Sequence, residues 1–222
     1  MKILNPTKHV HEGYRARVIN DYPLVIKINN LLSEDEVNEI LETAEGRFER
    51  SNLIVDGQLV YNTKHRNSST AYLFQDGMPE RYSKNVERII KRICYLTNCK
   101  RSQLEMMCVR YKKGEQFGNH VDYLDDDEVG ILDNGGNRAM TFFIYLNTLK
   151  KEDGGETEFT KLGIKSRPKK GDAIFFVNED PETGKMIPET EHRGNPVLTD
   201  TVKYGLNLWV RTQSFYLSLI HI

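Results

Sequence analysis

Cysteine is scarce in this chain of 222 residues, and its scarcity argues against two classes of site. The three cysteines, Cys94, Cys99 and Cys108, are odd in number and form no C-x-x-C pair. A disulfide framework or a thiolate zinc site is built from paired cysteines at regular spacing. We therefore expect reduced thiols that are mostly buried.

Long apolar runs are also missing. No stretch of about 18 apolar residues is available to span a bilayer. The N-terminal sequence MKILNPTKHVHEGYR lacks the apolar core of a signal peptide. These absences predict a soluble, cytoplasmic protein with no membrane partner.

The chain has no excess of charge of either sign. Its 31 Lys and Arg residues against 32 Asp and Glu residues give a formal net charge of -1, so we expect no nucleic-acid partner. Neither G-x-x-x-x-G-K-[ST] nor G-x-G-x-x-G occurs between a strand and a helix, which argues against nucleotide binding. A G-x-S-x-G nucleophile motif is absent as well.

The first half of the chain predicts two amphipathic helices and a hairpin. Ser33 and Glu36 form a capping box that begins the first helix, and Gly46 ends it. A second helix is predicted from about Pro79 to Thr97, with its apolar side chains on one face. The segment 53–61 carries apolar pairs around Asp56-Gly57 and predicts a hairpin.

From Leu104 onward the sequence changes to short apolar runs separated by turns. This pattern is typical of an antiparallel barrel or jelly roll. The predicted strands are 106–111, 140–146, 173–177 and 204–210. We expect a single domain over 1–222, in which 1–103 is a helix-rich support with a hairpin lid and 104–222 is the jelly-roll catalytic core.

An acidic segment with several glycines separates the first two of these runs. An EF-hand loop that started at Asp125 would have its glycine at Gly130 but would have Gly136 where it needs a glutamate. We interpret 124–137 as a solvated loop and, together with 50–70, as a candidate lid.

His120 and Asp122 are candidate metal ligands two residues apart. In an extended strand, residues i and i+2 point to the same side, so this imidazole and this carboxylate can face one point. Such a pair alone is more often a solvated turn than a metal site, and a third ligand is needed. His192 is the candidate, since two histidines and one carboxylate on one face of an ion are the ligands of non-haem Fe(II) oxygenases.

An ordered series of motifs resembles the 2-oxoglutarate and Fe(II)-dependent dioxygenases, and among them most the prolyl 4-hydroxylases. In chain order the motifs are Arg110-Tyr111-x-x-Gly114 with Phe117, His120, Asp122 and Tyr123; Arg138-x-x-Thr141 and Tyr145-Leu146-Asn147; Gly154-Gly155-Glu156-Thr157-x-Phe159; Pro168-x-x-Gly171-Asp172-Ala173; and His192-x-Gly194-x-Pro196-Val197 with Lys203 and Trp209. This series is far more specific than H-x-D alone. Arg66 with Ser68 and Ser69 also resembles the family's segment ahead of the barrel, which implies that the N-terminal half belongs to the same unit.

The resemblance implies an α+β fold with a double-stranded β-helix (jelly-roll) core braced by N-terminal helices. It implies Fe(II) held by the catalytic ligands His120, Asp122 and His192, with 2-oxoglutarate and O2 as co-substrates and ascorbate as reductant. Hydroxylation of a peptidyl proline at C4 would accompany conversion of 2-oxoglutarate to succinate and CO2. The implied partner is a proline-containing peptide or protein, bound in an extended or polyproline II conformation.

Four residues are expected to bind 2-oxoglutarate. Lys203 can supply a cation for its far carboxylate, and Tyr111, Thr141 and Tyr145 can supply hydroxyl groups. A buried lysine is costly without a counter-anion, so an inward Lys203 is explained only by a bound anion. Lys203 follows His192 by eleven positions, whereas the corresponding spacing in the family is often ten. A one-residue insertion in the intervening turn accounts for the difference.

Arg66, Tyr123 and Arg138 are the candidate residues of the substrate groove, although each can equally be a structural hydrogen-bond or ion-pair partner. Three alternatives remain open. The scaffold can hydroxylate lysine or another side chain, it can be a non-catalytic module that binds metal or peptide, or it can be a zinc hydrolase with Glu191 as the base. Lys203 has no role in the hydrolase scheme.

Overall fold

The computed structural model describes residues 13–55, 58–61, 64–75, 84–124 and 134–214. Some features predicted from the sequence lie outside these ranges: the hairpin turn at Asp56-Gly57, the helix start at Pro79 and residues 125–133 of the candidate lid.

Strands dominate the described chain. In chain order they are β1 (Arg15–Asn20), β2 (Val25–Asn29), β3 (Glu49–Arg50), β4 (Leu53–Val55), β5 (Gln58–Val60), β6 (Ser69–Gln75), β7 (Leu104–Tyr111), β8 (Phe117–His120), β9 (Arg138–Tyr145), β10 (Thr157–Phe159), β11 (Ile164–Ser166), β12 (Ala173–Val177), β13 (His192–Gly194) and β14 (Lys203–Arg211). Two α-helices accompany them, α1 (Glu34–Ala44) and α2 (Lys84–Thr97).

The strands form two main antiparallel sheets and a hairpin. The large sheet has the order β1-β2-β12-β9-β14-β7-β6-β3, and the small sheet has the order β11-β10-β13-β8. The hairpin pairs β4 with β5, as the sequence predicts for 53–61. Neither main sheet is closed. The predicted α+β jelly roll is confirmed, with the four predicted apolar runs as β7, β9, β12 and β14.

The central strands of the large sheet are buried on both faces, which explains why they are continuous apolar runs. Along β14, Leu206, Leu208 and Val210 belong to the core cluster that also contains the buried faces of α1 and α2. The alternate residue Trp209 joins a second cluster, which includes Phe159 of the small sheet. The helices therefore brace one face, while the small sheet covers the other and encloses the space in which the candidate site lies.

Helix α1 begins at the predicted capping box. The Glu36 amide donates to the Ser33 hydroxyl at 3.2 Å, and the Ser33 amide donates to the Glu36 carboxylate at 2.9 Å. The same carboxylate forms a bidentate ion pair with Arg92 of α2, with both N–O distances at 2.9 Å. The two helices are thus joined by charge as well as by apolar packing. No helix in the described ranges is long and apolar enough to cross a bilayer.

Candidate active site

Two neighbouring strands of the small sheet position the three candidate metal ligands. His120 ends β8 and His192 begins β13, and the two histidines lie directly opposite each other in the antiparallel register. Asp122 follows two residues after His120. One ligand atom from each of the three side chains lies within 4.8 Å of the other two, so a single ion can contact all three.

Both imidazole rings are oriented by the same local hydrogen bond. Nδ1 of His120 lies 2.8 Å from the carbonyl oxygen of Gly118, and Nδ1 of His192 lies 3.0 Å from that of Thr190. A carbonyl oxygen only accepts, so each Nδ1 carries the proton and donates it. The Nε2 atoms, which carry the lone pair when the ring is neutral, then face Asp122, at 3.7 Å for His120 and 3.9 Å for His192. This tautomer leaves Nε2 free to bind a metal.

The Asp122 carboxylate is held by a chain of buried hydrogen bonds. The Thr141 hydroxyl donates to Oδ2 of Asp122 at 2.7 Å. The Asn178 amide in turn donates to the Thr141 hydroxyl at 2.9 Å and to the Arg138 carbonyl at 3.1 Å. Because Thr141 and Asn178 are fully buried, this relay fixes the carboxylate rotamer from the large sheet.

Electrostatics give two of these groups the protonation states that metal binding requires. Burial and, next in size, the neighbouring His192 lower the pKa of His120 to about 3. Burial alone would raise the pKa of Asp122, but His192 and His120 outweigh it and the pKa lies below the ordinary value. At neutral pH His120 is therefore neutral and Asp122 is ionised, as a divalent metal demands of its ligands.

Aromatic rings wall the two histidines. Phe117 stacks on His120 with ring centroids 3.5 Å apart and an interplanar angle of 11°. Phe159 and Phe176 lie 5.3 Å and 4.9 Å from the His192 ring. The His120 side chain keeps 16% of its surface exposed and Asp122 only 6%, so the site opens to solvent on the side of β8.

Lys203, the first residue of β14, is a buried lysine. The residue is 1% exposed, and its Nζ lies 5.0 Å from the ring centroid of Tyr111 and 5.1 Å from that of Phe143. Within the described ranges its ammonium group has no hydrogen-bond acceptor or ion-pair partner in contact. Burial lowers the pKa of Lys203 to about 7, and the more distant Glu156 only partly opposes this.

A glycine keeps space open beside this lysine. A Cβ atom built on Gly194 would lie 3.8 Å from Nζ of Lys203 and 3.8 Å from the hydroxyl oxygen of Tyr111. Thr157 of β10 is the register partner of Gly194, and its buried hydroxyl has no hydrogen-bond partner. The ammonium of Lys203 and the hydroxyl group of Tyr111 therefore lie beside Gly194, two residues along β13 from His192, and Thr157 pairs with that glycine on the neighbouring strand.

Two of the hydroxyl groups expected to bind 2-oxoglutarate have acceptors within the chain. The Thr141 hydroxyl donates to Asp122, as described above, and the Tyr145 hydroxyl donates to the Ser166 carbonyl at 3.2 Å. Thr157 was not among the residues singled out from the sequence. Its motif, Gly154-Gly155-Glu156-Thr157, was the only signal for it.

The candidate groove residues have different surroundings. The Arg66 guanidinium lies over Phe117, 4.6 Å from the ring centroid, and donates to the Asn52 carbonyl at 3.1 Å. Arg138 lies over Trp209 at 3.7 Å and pairs with the buried Glu105 at 2.8 Å. The Tyr123 hydroxyl donates to the Gly184 carbonyl at 3.0 Å, away from the metal ligands. Arg66 is therefore the groove candidate that shares a ring contact, on Phe117, with His120.

A pocket of about 430 Å³ opens beside β8 and β13, and His65, Phe117, Arg193 and Asn195 are among its lining residues. Glu191, the base that a zinc hydrolase would need, lies within 3.8 Å of Lys161 and 3.4 Å of the Thr160 hydroxyl. These contacts give that carboxylate partners outside the group of metal ligands.

The sequence matches known proteins over most of its length. A family model described as the 2OG-Fe(II) oxygenase superfamily matches residues 106–211. A putative prolyl 4-hydroxylase of Acanthamoeba polyphaga mimivirus is 30% identical over 209 residues, which cover 90% of this chain and 79% of that protein. The prolyl 4-hydroxylase subunit alpha-1 of Caenorhabditis elegans is 31% identical over 206 residues, which cover 90% of this chain but only 35% of that subunit.

Solved structures agree with these matches. The viral collagen prolyl hydroxylase of Paramecium Bursaria Chlorella virus-1, in complex with 2OG, superposes with a TM-score of 0.62 at 27% identity. The superposition covers 84% of this chain and 95% of that one. A Pseudomonas putida prolyl-4-hydroxylase has the same fold, with a TM-score of 0.59 at 15% identity.

Proposed function

The chain belongs to the prolyl 4-hydroxylase family of 2OG-Fe(II) oxygenases, and from this premise we propose that it hydroxylates proline in a peptide or protein substrate. As a member of this family it is an Fe(II)- and 2-oxoglutarate-dependent dioxygenase. The observation that carries the proposal is a metal-binding triad together with a buried lysine that has no counter-ion in contact among the described residues.

The donor atoms fit Fe(II). Two imidazole nitrogens and one carboxylate oxygen within 4.8 Å of one another form the facial set that leaves coordination positions open. We assign His120, Asp122 and His192 as the iron ligands. Thr141 acts on the metal only through Asp122, so we assign it as a positioning residue rather than a 2-oxoglutarate ligand.

The cavity beside Gly194 fits the far carboxylate of 2-oxoglutarate. Lys203 supplies the positive charge, and the hydroxyl groups of Tyr111 and Thr157 supply donors around the same space. An anion there would neutralise a buried charge and satisfy an orphaned hydroxyl group. Lys203 would hold the distal carboxylate of the co-substrate, and His120, Asp122 and His192 would hold the metal.

Bound together, iron and 2-oxoglutarate supply an oxidant for C–H hydroxylation, and 2-oxoglutarate is consumed to succinate and CO2. The chain's own residues orient and shield that chemistry. Phe117, Phe159 and Phe176 exclude water from the histidines, and the Thr141 hydroxyl fixes the carboxylate of Asp122. We include ascorbate as the reductant that keeps the iron ferrous.

The pocket beside β8 supports an extended peptide as the substrate. It is lined by the rings of His65 and Phe117, and Phe117 stacks on His120. Arg193 and Asn195 also line it and donate hydrogen bonds to Glu158. Aromatic surfaces with a few hydrogen-bonding groups are the usual way to hold a polyproline II segment. Arg66, over Phe117, is placed to contact the backbone of such a peptide.

Succinate release from 2-oxoglutarate tests the proposal, with Fe(II) and ascorbate present and mass analysis of the peptide. A short proline-rich peptide is compared with matched peptides in which alanine or lysine replaces proline. Turnover stimulated by the proline peptide alone, with one oxygen gained on proline, is the expected result. A gain of oxygen on lysine instead would show that the substrate side chain is lysine. Equal turnover with all peptides would contradict the proposal that the chain hydroxylates a peptide.

A further inference from the structure

Cys94 lies in the last turn of α2, and Cys99 lies just after the helix, in contact with it. Their Sγ atoms are 3.8 Å apart, and both residues are only partly buried. Asn98, between them, has φ 54°, the left-handed conformation with which helices commonly end. This cap turns the chain back on the last helical turn and brings the residue after it against a residue three or four positions inside the helix.

We propose that Cys94 and Cys99 are a modification site at which hydroperoxides form an intramolecular disulfide. A disulfide has an S–S bond of about 2.05 Å, so the two sulfurs must approach by roughly 1.8 Å. Side-chain rotation at a solvent-accessible helix end can supply this movement. The proposal is independent of the hydroxylase function.

The surroundings favour Cys99 as the thiol that reacts first. The contact with the Cys94 thiol, which can donate to a Cys99 thiolate, lowers the pKa of Cys99 despite its burial. Its thiolate attacks a peroxide oxygen, the O–O bond breaks, and a sulfenic acid and an alcohol or water result. Cys94 then attacks the sulfenic sulfur, the S–O bond breaks and water leaves. Two thiols lose two electrons and two protons, and one peroxide is reduced.

Peptide mapping tests this proposal on the full chain, treated with a chelator so that no iron converts peroxide to radicals. Trypsin cleaves after Arg92 and Lys100, which leaves both cysteines in the peptide 93–100. After equimolar hydrogen peroxide, we expect this peptide to lose two hydrogen atoms and to regain them with dithiothreitol. The buried Cys108 should stay reduced as an internal control.

Cysteine variants and the urea-unfolded chain test whether the folded structure promotes formation of the disulfide. Cys108→Ser should keep the disulfide, whereas Cys99→Ser should leave Cys94 to gain oxygen or form dimers. The folded wild type should react on the order of tenfold faster than the same chain in urea, because the fold holds the thiols together. Equal rates in both states, or oxygen added to single sulfurs in the folded wild type, would overturn the proposal even if no variant folds.

Discussion

The buried ammonium group of Lys203 contacts no counter-ion among the described residues. The proposed binding of 2-oxoglutarate to this group should therefore depend on pH. Its pKa in the ligand-free protein is lowered to about 7, so above that pH the amine is increasingly neutral. An anion that binds the ammonium form must then restore the proton. We expect the affinity for 2-oxoglutarate to fall by about tenfold for each pH unit above 7.

Calorimetry of 2-oxoglutarate binding in buffers of different ionisation enthalpy tests this prediction, because it gives both the dissociation constant and the number of protons taken up. Lys203→Met is the control and should lose the proton uptake together with most of the affinity. Gly194→Ala should weaken binding with proton uptake retained, since its methyl group would enter the space between Lys203 and Tyr111. An affinity that is independent of pH in the wild type would contradict the assignment of Lys203.

Thr141 is expected to act on the metal rather than on 2-oxoglutarate. Thr141→Val removes the donor to Asp122 and leaves the Asn178 amide with a methyl group in place of its acceptor. Loss of a hydrogen bond to a metal ligand typically weakens metal affinity 10–100-fold. Titration with Co(II), followed by its visible absorption, should show this loss.

Thr157→Val is the matched control, since the same change is made at the other buried threonine of the cavity. It should leave Co(II) affinity unchanged and raise the 2-oxoglutarate requirement. If the two variants exchanged these phenotypes, the roles assigned to the two threonines would be wrong.

The sequence was informative about individual site residues only where a motif fixes their position. His120, Asp122, His192 and Lys203 each occupy a motif position with distinctive chemistry. The structure brings ligand atoms of the first three within 4.8 Å of one another and places the Lys203 ammonium beside Gly194. Thr157 was missed because a threonine in a short strand has no distinctive pattern. Its importance arises from Gly194, its partner on a strand much later in the chain, and pairing of that kind cannot be derived from a single sequence.

At the scale of elements, the four central strands of the large sheet were predictable and the small sheet was not. Strands β7, β9, β12 and β14 are buried on both faces and therefore appear in the sequence as apolar runs. Strands β8, β10, β11 and β13 have only three or four residues each and contain many polar side chains. Such segments are too short to show a periodicity, and they form because they pair with each other over the core.

The ion pair between α1 and α2 gives a prediction at this scale. Arg92→Met leaves the Glu36 carboxylate, which is 3% exposed, without its bidentate partner. Removing one member of a buried pair costs about 3–5 kcal/mol. We expect a loss near the lower end, about 3 kcal/mol, because Arg92 is partly exposed and Ser33 still donates to the carboxylate.

Urea unfolding followed by circular dichroism measures that loss. Arg88→Met, on the exposed face of the same helix, is the control and should change the free energy of unfolding by no more than about 0.5 kcal/mol. Similar values for the two variants would show that the ion pair does not join the helices.

At the scale of the whole molecule, the metal ligands connect the two main sheets. His120 and His192 belong to the small sheet, whereas Asp122 is fixed by Thr141 of the large sheet. A metal bound by all three would oppose separation of the sheets and so stabilise the fold as a whole. Co-substrate binding at Lys203 of β14 would add a second connection between the same sheets.

Thermal unfolding with Mn(II), which replaces Fe(II) without oxidising in air, measures this effect. At a concentration of 100 times the dissociation constant, a ligand adds about 2.7 kcal/mol to the free energy of unfolding, or roughly 5–10 °C in Tm for a chain of this size. We expect 2-oxoglutarate to raise Tm further only when Mn(II) is present, because one end of it faces the metal. His120→Ala should abolish both shifts, and a wild-type-sized Mn(II) shift in that variant would place the metal elsewhere on the protein.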